Sequence, residues 1–134
     1  MIKKIIKISF AIAFMVLMIS CKNTKQKLQE YVTSYNTSAA GFKADDVTLT
    51  TARGYINDNK IELRFETNLE QNALNVSKAS ATFPKLLKEM IIKNQIPKEL
   101  VEEGVQFDAY FLADDNTVFL KEIINKESIS ELLK

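Results

Sequence analysis

The side chains that could do chemistry in this 134-residue chain are nearly all carboxylates: 17 Asp and Glu, no histidine, and a single cysteine, Cys21. Without an imidazole, histidine-based acid–base catalysis and histidine metal ligation are excluded. The acids stand out at Asp45-Asp46, Asp58, Glu102-Glu103 and Asp114-Asp115. Two carboxylates flanking one bond are the working parts of a carboxylate-dependent hydrolase, but no spacing here aims two of them at one cleft. Asp114-Asp115-Asn116 offers oxygens that suit Ca²⁺, yet it lacks the alternating ligand spacing and the glycine of a calcium loop. A hairpin turn accounts for the same three residues. The three glycines, Gly41, Gly54 and Gly104, belong to no nucleophile elbow and no phosphate-binding loop. The expectation is therefore a protein that is not an enzyme, with no cofactor and no metal.

That leaves Cys21, and its setting is specific. Lys3, Lys4 and Lys7 form a positive start, and no acid occurs before Glu30. From Ile8 to Ile19 the chain is apolar apart from Ser9. This stretch is shorter than the roughly 20 apolar residues that span a bilayer core, and its order is that of a secretory signal. The small residue Ser20 and then Cys21 follow at once. The run Leu17-Met18-Ile19-Ser20-Cys21 resembles the lipobox of bacterial lipoproteins, with Met18 where leucine is commoner. The resemblance implies cleavage after Ser20, a diacylglycerol on the Cys21 thiol and an acyl chain on its freed amine. Each buried CH₂ of such chains contributes about 0.8 kcal/mol, so two or three chains anchor a protein firmly to a membrane. Lys22, where a retention signal would place Asp, leans towards the outer membrane in a cell that has one. The expected address is the bacterial cell envelope.

Residues 1–20 then act as a signal peptide, residues 21–26 as the lipidated cysteine and a short tether, and residues 27–134 as one domain. The mature chain keeps 114 residues, enough for a real core. The signal removes three lysines and no acid, leaving 15 basic against 17 acidic residues, a charge of −2. No basic run tracks a phosphate backbone, so nucleic acid is not an expected partner. With its one thiol consumed by lipid, the mature chain forms no internal disulfide, and stability must come from packing.

The elements that must do this packing are legible from periodicity. Leu28, Tyr31, Val32 and Tyr35 make one helical stripe, predicting a helix over about Lys25 to Asn36 with Thr24 as its cap. Ile61, Leu63 and Phe65 alternate with charges, the mark of a half-buried strand. A strand over about Val47 to Ile56 precedes it, with Asn57-Asp58-Asn59 as the turn. A tip at Asp58-Asn59 would pair Ile56 with Ile61, Gly54 with Leu63 and Ala52 with Phe65. Gly54 marks either a bulge or a close backbone approach.

Phe83, Leu86, Leu87, Met90 and Ile91 form the clearest helical stripe. That helix starts either at Pro84 with Thr82 as cap, or near Ser77 with Pro84 internal. Pro97 to Gly104 reads as a short helix. A second hairpin spans about Val105 to Ile124, turning at Asp114-Asp115-Asn116. A last helix covers Ser128 to Leu133, with Ser128 and Glu131 at capping-box spacing.

The order is helix–hairpin, helix–hairpin, terminal helix. It predicts an α+β fold: a four-stranded antiparallel sheet from two αββ units, helices on one face, and a short C-terminal helix. The element order resembles that of secreted inhibitor and PepSY-like modules; this likeness transfers no residue roles.

Phe107, Ala109, Phe111, Ala113, Val118, Leu120 and Ile124 are expected on the core face of the second hairpin. Tyr110, Leu112 and Phe119 then fall on the opposite face. There they form an exposed apolar partner-binding patch, or lie beneath the C-terminal helix or a loop. The function this supports is a membrane-anchored, non-catalytic module that binds an envelope protein. The alternatives are an inhibitor or immunity lipoprotein, a carrier of an apolar ligand, and a carboxylate-dependent hydrolase.

Overall fold

The computed structural model describes residues 23–134. The signal segment, Cys21 and Lys22 lie outside the described residues. Besides two short 3-10 turns, the order is α1 (Thr24–Ser38), β1 (Val47–Tyr55), β2 (Lys60–Thr67), α2 (Ala73–Ile92), α3 (Lys98–Glu102), β3 (Gln106–Leu112), β4 (Val118–Ile124) and α4 (Ile129–Leu132). The fold is α+β, with one four-stranded sheet in the order β1-β2-β3-β4.

The two hairpins are antiparallel, but the central pair, β2 and β3, runs parallel. The crossover explains this. After β2 the chain returns through the 20 residues of α2, so β3 starts at the end of the sheet where β2 started. All the main helices pack on one face. Ile61, Leu63 and Phe65 of β2 and Phe107, Ala109 and Phe111 of β3 point into that core. An aromatic file links the layers: Phe42–Phe65, Phe65–Phe83, Phe83–Phe111 and Phe111–Phe119 have ring centroids 5.8, 5.6, 4.8 and 6.3 Å apart. Such contacts contribute beyond the area they bury.

Helix α1 starts earlier than the periodicity predicts. Asn23, not Thr24, is the cap; its side chain accepts from the Gln26 N–H while the Gln26 side chain accepts from the Asn23 N–H. The helix thus takes most of the polar stretch expected to act as a tether. Its first turn is tied to α3: Lys27 Nζ lies 3.0 Å from Glu103 and 3.1 Å from Glu99, and the Thr24 hydroxyl donates to Glu103. Glu103 first, and Glu99 second, raise the Lys27 pKa.

Helix α2 also starts earlier, at Ala73, capped by Asn72, with Pro84 inside it. Pro84 lacks the N–H that would bond the carbonyl one turn back, the group of exposed Ser80, where water can replace it.

The first hairpin pairs Gly54 with Ile61, Ala52 with Leu63 and Thr50 with Phe65. This register is two residues from the predicted one. Residues Ile56–Asp58 wind into a 3-10 turn and Asn59 takes φ 49°, which widens the loop. A slip of two leaves every side chain on its predicted face. No bulge occurs at Gly54; the close approach is the reason for glycine. A Cβ there would stand 3.0 Å from Leu28 Cδ2 and 3.3 Å from Val32 Cγ2 of α1. Gly54→Val should therefore destabilise the domain by about 1–3 kcal/mol through overpacking. A denaturant midpoint unchanged from the parent would show that α1 does not press on β1.

The same helix closes the β1 edge. The Asn36 amide donates to Ala52 O at 2.9 Å and accepts from Ala52 N at 2.8 Å, as a neighbouring strand would. On the other edge, Gln71 Nε2 donates to Val118 O at 3.4 Å and the Ser128 hydroxyl donates to Ile123 O at 2.7 Å. That use of Ser128 replaces the predicted capping box; its side chain makes no cap to α4.

Candidate functional site

The sheet face away from the helices was expected to carry Tyr110, Leu112 and Phe119 together. The structure separates them. Tyr110 is half-buried on that face, in register between Arg64 of β2 and Lys121 of β4. Leu112 is 2% exposed, and Phe119 is 7% exposed and part of the core. The cause is a bulge in β4: Phe111 pairs with Leu120 and Leu112 with Val118, leaving Phe119 as the extra residue. The bulge turns Phe119 inward beside Phe111 and leaves Val118 49% exposed in its place. Leu112 is held by the segment after β2: Thr67 Oγ1 donates to Leu112 O, and Asp114 N to Leu69 O. Helix α4 does not cover this face, because Ile129, Leu132 and Leu133 pack against the core on the helical side.

What the open face carries is a charged lattice. Arg53 and Glu62 pair across β1 and β2, Glu62 and Asp108 across β2 and β3, and Arg64, Tyr110 and Lys121 across β2, β3 and β4. Asp108 is its centre, 4% exposed. Gln106 Nε2 donates to one of its oxygens at 2.8 Å, while Lys60 and Lys121 stand 3.7 and 3.9 Å from the other. Lys60 also lies 4.8 Å from the Tyr55 ring centre, and Lys121 5.3 Å from that of Tyr110. Tyr110 first, and Asp108 after it, raise the Lys121 pKa. Leu49, Val118 and Ile123, 49, 49 and 40% exposed, lie on the same face, so it mixes charged and apolar side chains.

A concave surface with an apolar floor lies on the helical side. A half-open groove of about 870 Å³ runs between the loop 43–46 and α2. Leu69, Phe83, Leu86, Ile92 and Phe111 form its apolar part, and a smaller hollow of about 250 Å³ continues it past Phe42 and Met90. This volume is in the usual range for ligand sites. Ile92 is 63% exposed, unusual for an isoleucine with a core close at hand.

Lysines 43, 78, 85 and 88 line the groove, as do Asp45, Asp46 and Glu89. Lys78 and Asp46 bridge it from helix to loop at 3.1 Å. Asp46 takes φ 66°, a left-handed conformation that aspartate tolerates better than most residues. Lys43, Lys85 and Lys88 make no ion pair among the described residues.

Sequence reasoning placed Leu86 in the core stripe and left Ile92 and the lysines unassigned. The available signal was the width of the stripe: Leu86 and Ile92 widen the apolar arc of α2 beyond what one sheet face can cover. The carboxylates singled out from the sequence are dispersed. Asp46 pairs with Lys78, Asp115 accepts from the Thr117 N–H and hydroxyl in the second turn, and Glu103 pairs with Lys27. The Thr117 hydroxyl first, and its N–H second, lower the Asp115 pKa. Among the described residues no group of three His, Cys, Asp or Glu side chains gathers as a metal site would require.

No protein-family model matches the chain, and no curated protein matches it. Among solved structures, the chain is similar to the Type II secretion system pilotin AspS from Vibrio cholerae, at 10% sequence identity over 77% of this chain and 95% of that one, with a TM-score of 0.38. A likeness of that size fixes no function.

Proposed function

We propose that the protein is a lipid-anchored module of the bacterial cell envelope that binds a protein partner and catalyses no reaction. The observation that carries this reading is the groove along α2: an apolar floor, exposed Ile92, and three lysines with no ion partner among the described residues. That is the composition of a docking surface, an apolar centre beside a polar rim. The non-catalytic half of the reading is supported by the absence of histidine and by the scatter of the acids, several of them already bonded to lysines or turn N–H groups. The anchored half rests on Cys21 and the signal before it.

The outer membrane is the favoured site in a cell that has one, given Lys22. A second reading, carriage of an apolar ligand, draws on the reach of the same groove down to Phe111 on the sheet.

The anchor has a direct test. Cells fed an alkyne-bearing palmitate should label the parent protein, and Cys21→Ala should lose the label entirely and accumulate unprocessed precursor. Labelling that persists in Cys21→Ala would remove the lipoprotein assignment. Crosslinking in intact envelopes followed by affinity capture tests the rest. Recovery of no protein under several growth conditions would count against a partner.

A further inference from the structure

We infer that the α2 groove takes an acidic amphipathic segment of the partner protein, its apolar side on Leu86 and Ile92 and its carboxylates on Lys43, Lys85 and Lys88. This rests on the partner-binding reading above and adds the occupant's chemistry. The first support is charge segregation. Four of the 18 basic residues, Lys3, Lys4, Lys7 and Lys22, precede the described body, which keeps 14 against all 17 acids. The groove is lined by Lys43, Lys78, Lys85 and Lys88 against Asp45, Asp46 and Glu89, a balance of +1 on a body of −3, and on α2 itself three lysines face Glu89 alone. A locally positive helix face on a net acidic body favours an acidic partner there over the rest of the surface.

The second support is the state of the lysines. Lys78 is neutralised by Asp46, but Lys43, Lys85 and Lys88 have no ion partner among the described residues, so an incoming carboxylate displaces no bridge formed there. The third is position. The capped start of α1 is two residues from Cys21, and the groove loop follows the other end of that helix. Fifteen residues of helix separate the two ends by about 22 Å. With α1 upright on the membrane, the groove loop would stand about that far from a lipidated Cys21, within reach of a protein segment.

The test uses the full lipidated chain in detergent and two fluorescent 18-residue helical peptides, one of Glu, Leu and Ala, the other with Lys replacing every Glu. The Glu peptide should bind at least tenfold more tightly, weaken at high salt, and lose its advantage in the double variant Lys85→Glu, Lys88→Glu. Lys85→Ala with Lys88→Ala, a milder change on the same exposed helix face, should weaken it by a smaller factor. Tyr110→Ala on the open sheet face should leave it unchanged. Equal binding of both peptides, or indifference to the lysine changes, overturns the assignment. So does lysine-dependent binding of phosphatidylglycerol vesicles in preference to the Glu peptide.

A photo-crosslinking residue placed at Ile92, and separately at Tyr110, distinguishes the two levels of inference in envelopes. A crosslink from 92 that maps to an acidic amphipathic stretch supports both. A protein captured only from 110 keeps the partner and removes the groove as its site. No protein captured from either position removes the partner.

Discussion

Phe83→Ala should be among the most damaging single substitutions in this protein, lowering stability by about 3–5 kcal/mol. Phe83 is fully buried, and its ring sits between Phe65 of β2 at 5.6 Å and Phe111 of β3 at 4.8 Å. It is thus the residue through which α2 grips the two central strands. Truncation leaves a cavity that neither strand can close, because β2 and β3 are fixed to each other by their parallel ladder. For a domain of this size total stability is of the order of 5–15 kcal/mol, so the loss takes a fifth of it or more. Urea melts read by circular dichroism will measure it. Tyr110→Ala on the open face is the control and should cost under about 1 kcal/mol, since its principal contact is an exposed cation–π pair. Equal losses in the two variants would mean that the aromatic file does not organise the core.

The second large effect is alkaline. Burial is the main cause that pushes the Tyr35 pKa from 10.0 up to about 12, with its hydrogen bond to Thr50 acting in the opposite sense. Burial, with the nearby Tyr35 as second cause, holds Tyr31 well above its ordinary value as well. A pKa higher in the folded than in the unfolded chain contributes stability that is intact below about pH 10 and lost as pH rises towards 12. Two units on Tyr35 correspond to about 3 kcal/mol lost across that window, and Tyr31 adds to it. The part of the tyrosinate absorbance that belongs to Tyr31 and Tyr35 should rise late and steeply, together with unfolding. Tyr35→Phe removes one titrating group and the 2.6 Å bond to Thr50. It should be less stable at neutral pH by about 1 kcal/mol, with a shallower alkaline decline. An unchanged decline would show that Tyr35 ionises without cost in the folded state.

How far the sequence reaches is clearest in the two hairpins. In the first, strict alternation of Ile61, Leu63 and Phe65 dictated the faces, and the two-residue register error moved no side chain across the sheet. In the second, the strand carried apolar residues on both sides, so periodicity had nothing to say against a bulge. One extra residue in β4 was enough to exchange Phe119 and Val118. The parallel central pair was equally hidden, since hairpins look alike in sequence whether their neighbours run with or against them. Helix stripes located the core side of α1 and α2 but not the groove, which depends on where the loop 43–46 comes to rest. Of the three proposed partner residues, Phe119 turns into the core, Leu112 keeps its face but is buried there, and only Tyr110 remains partly exposed on it.

Were the chain lipid-anchored as proposed, the plugged edges of the sheet would matter for its neighbours on the membrane. Lipid anchoring confines a protein to two dimensions, where neighbours meet far more often than in solution and in similar orientations. An open strand in that setting is a template for the next molecule. Here the Asn36 amide occupies the backbone of β1 as a strand would, while Gln71 and Ser128 engage the carbonyls near either end of β4 and a bulge distorts the strand between them. These are three ordinary polar side chains with nothing catalytic about them. They would act as terminators, keeping a dense carpet of anchored copies a population of individuals.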